Sequence, residues 1–250
     1  LFSIPLAFSS ILQQLFNSAD VAVVGRFAGD RALAAVGSCV ALVGIFVNLI
    51  VGFSVGPNAV LANLIGQKRR DKINRMLHTI MAFGLIAGVI LMGLGMLSAK
   101  PILEVSGTPE SVMNEALLYI RIYFIGIPFM MIYNFGSAVL RSFGDTRRPM
   151  YYLILSGTVN VILNLILVIY FKLGVAGVAI ATVISNILSA GLVLIYLYRR
   201  EDEFQFRPQR LHIEKEDLKK VLVIGGGPAG LSASCLLYTS PSPRDGLLSR

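Results

Sequence analysis

An acidic residue inside an apolar segment is the strongest candidate for chemistry in this 250-residue sequence. Asp20 closes a series of polar side chains that begins at Ser10 and continues through Gln13 and Asn17, with spacings of three, four and three residues. If the segment is a helix, these side chains share one face. A charge within a membrane helix costs on the order of 3 kcal/mol on insertion scales, so such an acid is by default a functional residue.

A second series of polar side chains lies in a later apolar segment, where Ser156, Asn160 and Asn164 follow one another at intervals of four. In lipid an unsatisfied amide costs several kcal/mol, so these residues must bond to neighbouring helices or face a wet cavity. Interhelical hydrogen bonds would explain any single asparagine equally well. Two polar faces on two helices favour a cavity, and we expect its lining to include Gln13, Asn17, Asn134 and Asn160.

The elements that position these residues are predicted to be membrane helices. The chain is 55% hydrophobic and 14% charged, with a mean hydropathy of +0.73. Six segments are apolar and long enough to cross a bilayer: 2–24, 36–65, 79–99, 117–140, 149–171 and 174–198. The sequence therefore predicts an all-α polytopic membrane protein, with a six-helix lobe at 1–198 and a polar linker at 199–220.

The charged residues predict how this lobe is oriented. Of the 22 Lys and Arg residues, 15 fall in segments 67–75, 141–149 and 199–220, whereas the opposite loops hold only Arg26, Arg31, Lys100 and Lys172. This asymmetry follows the positive-inside rule and predicts a cytoplasmic N-terminus. Because the net charge of +8 is explained by topology, we expect no nucleic-acid partner.

Other residues are interpreted as structural. Gly52 and Gly56 are four residues apart and favour close helix packing, and the prolines Pro57 and Pro128 favour kinks. The two histidines have no partners at metal-ligand spacing, and the two cysteines do not suggest a disulfide framework. We therefore expect neither a metal nor an organic cofactor.

Several stretches together resemble the MATE family of multidrug and toxic compound extrusion antiporters. The resemblance covers about residues 1–220 and rests on QQLFNSADVAVVG (13–25), AAVG (34–37), GFSVG (52–56), GIP (126–128), RSFGDTRRP (141–149), NVILN (160–164) and GVAGVAIAT (174–182). It implies twelve helices in two six-helix lobes in a bacterial inner membrane. It also implies export of organic, often cationic, compounds in exchange for H+ or Na+. The chain is similar to the N-terminal lobe, so the missing C-terminal lobe is an implied partner.

The resemblance also implies roles for two residues. In some members the acid of the first helix, here Asp20, couples transport to a cation together with an acid of the fifth helix. Asn164 stands at that second position and departs from the pattern. An asparagine can coordinate Na+ or hydrogen-bond to a protonated acid, but it cannot itself take up the proton.

The end of the chain admits two interpretations. Gly225, Gly227 and Gly230 fit the G-x-G-x-x-G fingerprint of dinucleotide-binding proteins, which would favour a membrane-associated FAD-dependent oxidoreductase. The helix and the downstream acid that the fingerprint requires do not follow. We therefore interpret 221–234 as the start of a seventh helix, and 235–250 as a non-native tail similar to translated sequencing adapter.

A further alternative lies within the same superfamily, as a flippase of lipid-linked precursors. Such flippases generally line their cavity with several basic residues. Arg121, near the outer edge of the fourth span, is the one cation that we expect inside a span. The antiporter interpretation is therefore favoured over the flippase, and the chain is not expected to be an enzyme.

Overall fold

The structure, a computed structural model, describes residues 3–68, 70–200 and 205–206. Over these residues the fold is entirely helical, which confirms the predicted class. The helices are α1 (Ser3–Phe27), α2 (Asp30–Gly66), α3 (Arg70–Val105), α4 (Glu110–Ile125), α5 (Ile127–Ser142), α6 (Arg147–Leu165) and α7 (Gly174–Arg199). A π-helix, Ile166–Tyr170, continues α6. The linker residues 207–220 and the segments 221–234 and 235–250 lie outside the described residues.

The helices correspond one for one to the predicted spans once α4 and α5 are taken as a broken fourth span. Among the described residues, α2, α3, α6 with its π-helix and α7 are each long and apolar enough to cross a membrane, and the α4–α5 pair is so as a bent unit. At 25 residues α1 is also long enough, but its polar series makes it less apolar. Helices α2 and α3 extend past the predicted 36–65 and 79–99, so that Arg75 and Lys100 lie within α3. Arg141 likewise lies in the last turn of α5 rather than in a loop.

The predicted helix 117–140 is wrong in one respect, because it is broken at Gly126. The axes of α4 and α5 differ by 43°. A Cβ on Gly126 would lie 3.1 Å from the carbonyl oxygen of Tyr123 and 3.2 Å from Nδ2 of Asn186 on α7. Pro128 stands in the first turn of α5, where its missing N–H is not needed. The break thus precedes Pro128 and follows from a glycine packed against α7.

Pro57 does not break its helix. Helix α2 continues through Pro57 without interruption, and Gly52, Gly56 and Pro57 are all buried. Their burial agrees with the expected close packing. A kink at Pro57 stays a prediction.

The contact between α1 and α6 is what brings the two polar series together. A Cβ on Gly157 of α6 would lie 2.1 Å from Cε2 of Phe16 on α1, so only a glycine lets this ring pack against the α6 backbone. Phe16 lies one turn before Asp20, and Gly157 lies two turns before Asn164. The close approach therefore sets Asp20 beside Asn164.

A tight reversal then brings α7 alongside α6. Lys172 and Gly174 adopt left-handed backbone angles, with φ of 54° and 55°. The N–H of Leu173 donates to the carbonyl of Leu167 at 3.1 Å, which closes the turn. Helices α6 and α7 consequently run antiparallel and in contact, so residues about ten positions either side of the turn face each other.

Candidate functional site

Asp20 lies at the meeting point of three helices. The residue is 9% exposed. Its Oδ1 accepts a hydrogen bond from Nδ2 of Asn164 on α6 at 2.5 Å, and its Oδ2 lies 3.4 Å from Oγ1 of Thr182 on α7. The acid predicted from the sequence is therefore held between α6 and α7 by neutral polar groups.

The contacts continue from these partners to a fourth side chain. Nδ2 of Asn164 also donates to Oδ1 of Asn160 at 3.2 Å, and Nδ2 of Asn160 donates to Oγ1 of Thr182 at 3.4 Å. We call Asp20, Asn160, Asn164 and Thr182 the acid network. It forms a closed ring of polar groups between α1, α6 and α7.

The Thr182 hydroxyl has more acceptors than it can serve. Its oxygen lies 3.0 Å from the carbonyl of Val178, one turn earlier in α7, and 3.4 Å from Oδ2 of Asp20. A hydroxyl carries one hydrogen, and the shorter contact is with the carbonyl. When Thr182 donates to Val178, Oδ2 of Asp20 is left as an acceptor that can take a proton or a cation.

Asn164 adds a second unsatisfied oxygen. Its Oδ1 is buried and has no hydrogen-bond partner among the described residues. Buried polar atoms are normally paired, and an exception calls for a reason. The orphan oxygen belongs to the same amide whose Nδ2 contacts Asp20, so it lies within one amide rotation of the carboxylate.

The surroundings of the acid network are uncharged and aromatic. Tyr119 and Tyr123 of α4 are buried, stack with ring centroids 6.2 Å apart, and lie within electrostatic range of Asp20. No Lys, Arg or His forms a salt bridge with Asp20 in the described part of the chain. The carboxylate thus has donors that stabilise it but no cation that neutralises it.

Of the residues predicted to act together, the structure gathers three: Asp20, Asn160 and Asn164. Gln13 is half-buried and Asn17 is exposed on α1, so both lie outside the acid network. Asn134 is also apart, because it is buried in α5 and donates to the carbonyl of Met130 in its own helix at 2.8 Å. The alternative cofactor residues Gly225, Gly227 and Gly230 lie outside the described residues.

Sequence reasoning missed Thr182 as a site residue. A lone threonine in an apolar helix usually satisfies its hydroxyl within its own helix, as Thr158 does with Ile154 at 2.8 Å. The turn at 171–173 was the available signal, because it places Thr182 opposite the interval between Asn160 and Asn164 in an antiparallel pair.

Comparison with known proteins identifies the family. The MatE family model matches residues 5–166, which include most of α1 and the whole of α6. The chain belongs to the MatE family. Membership confirms the resemblance drawn from the sequence.

Relatives of this MatE chain have been described in several bacteria. The probable multidrug resistance protein YoeA of Bacillus subtilis is 33% identical over 232 residues, which cover 90% of this chain and 50% of YoeA. The probable multidrug resistance protein NorM of Thermotoga maritima is 27% identical over 227 residues, which cover 89% and 48%. The chain therefore spans about half the length of these relatives.

Solved structures also match this chain over about half of their own length. An outward-facing multidrug resistance MATE transporter of the MOP superfamily superposes with a TM-score of 0.83 at 26% identity, over 93% of this chain and 51% of that one. A MOP superfamily transporter from Pyrococcus furiosus superposes with a TM-score of 0.84 at 26% identity. The match covers 93% of this chain and 51% of that transporter. Helices α1 to α7 thus have the fold of half a MATE transporter.

Proposed function

We propose that this chain is the N-terminal lobe of a secondary active exporter that exchanges organic, often cationic, compounds for H+ or Na+. The multidrug resistance relatives support the substrate class, and their double length supports a second lobe that completes the transporter. The excess of Lys and Arg in segments 67–75, 141–149 and 199–220 supports an inner-membrane protein with a cytoplasmic N-terminus.

The observation that carries the proposal is the pairing of Asp20 with neutral donors. A buried carboxylate needs compensation for lost solvation, and a nearby arginine would supply it permanently. Here the Asn164 amide donates to Oδ1, and the Thr182 hydroxyl can donate to Oδ2 when it is not bonded to the Val178 carbonyl. Asp20 can therefore gain and lose a cation in each transport cycle.

Proton uptake by Asp20 would reverse the hydrogen bonds of the acid network. The new O–H becomes a donor, and rotation of the Asn164 amide presents its orphan Oδ1 as the acceptor. If the Asn160 amide also rotates, its Nδ2 can donate to the same oxygen, because the two amides already lie in contact through Asn164 Nδ2 and Asn160 Oδ1. The neutral and ionised states of Asp20 thus have distinct hydrogen-bond arrangements.

Sodium would use the oxygens of the same residues. The carboxylate of Asp20, the amide oxygens of Asn160 and Asn164, and the hydroxyl of Thr182 are hard donors of the kind that alkali and alkaline-earth cations prefer. The described residues hold no cluster of three or more His, Cys, Asp or Glu side chains suited to a transition metal. The donor set therefore fits a proton or a hard monovalent cation.

The substrate would approach from the polar side of α1. Asn17 is exposed and Gln13 half-exposed, one and two turns before Asp20. A cationic compound that contacts this side meets the same negative charge as the coupling cation. Because the compound and the coupling cation compete for Asp20, export of the compound then depends on entry of the cation.

The test is the variant Asp20→Asn in a two-lobe transporter that contains this lobe, reconstituted in liposomes. Asparagine keeps the side-chain size and one oxygen that can accept the Asn164 hydrogen bond, but it cannot bind H+. The wild type should accumulate a fluorescent cation when an H+ or Na+ gradient is imposed, and the variant should show only gradient-independent exchange. Gradient-driven accumulation at the wild-type rate in Asp20→Asn would reject the coupling role.

A further inference from the structure

A second polar site lies at the opposite end of the helices from the basic loops. A cleft of about 710 Å³ opens between the last turns of α3 and the first turns of α4. Its polar lining comprises Lys100 and Glu104 of α3, Thr108 of the turn, and Glu110, Asn114 and Arg121 of α4. None of these residues belongs to the acid network.

The charges in the cleft are ordered by depth. Helix α3 runs toward this end of the lobe, so Lys100 lies about 6 Å nearer the bilayer centre than Glu104. Helix α4 runs back, so Arg121 lies about 16 Å nearer the centre than Glu110. Both helices therefore place their base on the membrane side and their acid on the water side.

These charges are available to a ligand. Lys100 and Glu104 form one ion pair at 3.8 Å in which both side chains are more than half exposed, and such pairs are weak. Glu110 and Arg121 form no ion pair with any described residue. The hydroxyl of Thr108, a residue 8% exposed in the cleft wall, is buried without a hydrogen-bond partner. The Thr108 hydroxyl and the charges of Glu110 and Arg121 can therefore bind a polar ligand.

An apolar strip leads from the cleft toward the middle of the bilayer. Ile86, Ile90 and Leu97 precede Lys100 by 14, 10 and 3 residues, which puts them on its side of α3. Their exposures are 46%, 55% and 82%. A molecule that fills the cleft can therefore extend an apolar chain along α3 directly below its polar part.

We propose that the cleft binds phosphatidylethanolamine, with the phosphate against Lys100 and Arg121 and the ammonium against Glu104 and Glu110. The headgroup has its anion on the acyl-chain side and its cation on the water side, in the order that the cleft complements. The hydroxyl of Thr108 offers an additional oxygen to the ammonium, and the acyl chain lies along Ile86, Ile90 and Leu97. An anionic lipid such as phosphatidylglycerol lacks the ammonium and offers no positive charge to Glu104 and Glu110.

The test measures the lipid retained by the full-length protein after purification from nanodiscs of equal phosphatidylethanolamine and phosphatidylglycerol content. The variants are Lys100→Gln with Arg121→Gln, and Glu104→Gln with Glu110→Gln. All four residues are exposed, so the fold should be retained, and circular dichroism checks this. Arg26→Gln and Asp30→Asn are matched controls, because both are exposed charges at the same end but outside the cleft.

The wild type and both controls should be enriched in phosphatidylethanolamine relative to the nanodisc. Loss of the two bases should lower its retention about five-fold or more, the order expected when charge-assisted hydrogen bonds are lost. Loss of the two acids should shift the preference to phosphatidylglycerol. The proposal would be overturned if the wild type retained the two lipids in the same ratio as the nanodisc. It would also be overturned if the controls lost as much phosphatidylethanolamine as the cleft variants. Displacement of the lipid by an equal concentration of soluble phosphoethanolamine would overturn it too, because it would show a small-molecule site instead.

Discussion

Two aspartates of this lobe, Asp20 and Asp145, are held in opposite ways. Asp145 lies in the turn between α5 and α6, where its Oδ2 is 2.5 Å from Nη1 of Arg148 and its Oδ1 accepts the Arg148 backbone N–H at 3.1 Å. The same guanidinium bonds to the hydroxyl of Tyr196 on α7 and lies 4.3 Å from the centre of its ring. Asp20 has only the amide and hydroxyl of Asn164 and Thr182.

This difference in partners distinguishes an acid with a structural role from one that can exchange its cation. Arg148 neutralises Asp145 at all times and ties the α5–α6 turn to α7. No described cation does this for Asp20, and we propose that a mobile ion or proton takes that role. A membrane-buried acid without a resident cation is therefore the better candidate for coupling, and the following predictions test that contrast.

The largest effect is expected from Gly157→Ala. The added methyl would lie 2.1 Å from the Phe16 ring, which must move and carry α1 away from α6. Overpacking of this kind costs about 1–3 kcal/mol of stability, and it should separate Asp20 from Asn164. We expect a lower thermal unfolding temperature and loss of gradient-driven transport in liposomes.

The control for this glycine is Gly44→Ala in α2, where a methyl would meet no atom within 4 Å. It should leave both transport and unfolding temperature near wild type. If Gly157→Ala transported at the wild-type rate, the close packing of α1 against α6 would not be what positions the acid network.

The next effect is expected from Asn164→Leu. Leucine removes the donor to Asp20 Oδ1 and leaves a buried carboxylate with an unmet acceptor, which costs about 1–3 kcal/mol, or roughly ten-fold or more in affinity for the coupling ion. The ion concentration for half-maximal transport should change accordingly. Asn134→Leu also removes a buried amide but outside the acid network, and an equal change in that variant would contradict the assignment.

A smaller effect is expected from Thr182→Val, which keeps the shape and removes the hydroxyl. Its contact with Asp20 is long, at 3.4 Å, and a hydrogen bond of this kind contributes about 0.5–1.5 kcal/mol. The half-maximal ion concentration should shift by roughly three- to ten-fold. Thr158→Val removes a hydroxyl that bonds only within α6, and it should behave as wild type. Identical results for the two threonines would remove Thr182 from the site.

The smallest effect is expected from Arg148→Gln at the structural acid. Its side chain is half exposed, and exposed ion pairs contribute about 0–1 kcal/mol. The unfolding temperature should fall slightly, and less so in high salt, while the ion dependence of transport stays unchanged. A change in ion dependence as large as that of Asn164→Leu would erase the distinction between the two acids.

Helical spacing was sufficient to place Asp20 and Asn164 in two polar series, and the resemblance to the MATE family was needed to assign them a joint role. The sequence was insufficient for Asn134, since hydropathy gives the depth of a residue in a span but not the direction in which its side chain faces. The actual bond from Asn134 to Met130 is local and needs no cavity. Thr182 was missed for the converse reason, because a threonine that bonds to its own helix can also contact a neighbouring one.

The break at Gly126 could have been anticipated more fully. Glycine followed two residues later by Pro128 favours a helix end and a new helix start, yet in an apolar run the pair was interpreted as a kink within one span. The helix breaks at Gly126 because this glycine packs against Asn186 of α7, a residue 60 positions later in the chain. Long-range packing of this kind cannot be derived from local pattern.

The most direct test of the account is infrared difference spectroscopy of the two-lobe transporter as pH is lowered and as Na+ is added. Protonation of a buried carboxylate gives a carboxylic-acid C=O band, and Na+ in its place shifts the carboxylate bands. We expect one of these changes in the wild type and in Asp145→Asn, and neither in Asp20→Asn. The same signal in Asp20→Asn, or its loss in Asp145→Asn alone, would contradict the assignment of Asp20 as the group that takes the coupling ion.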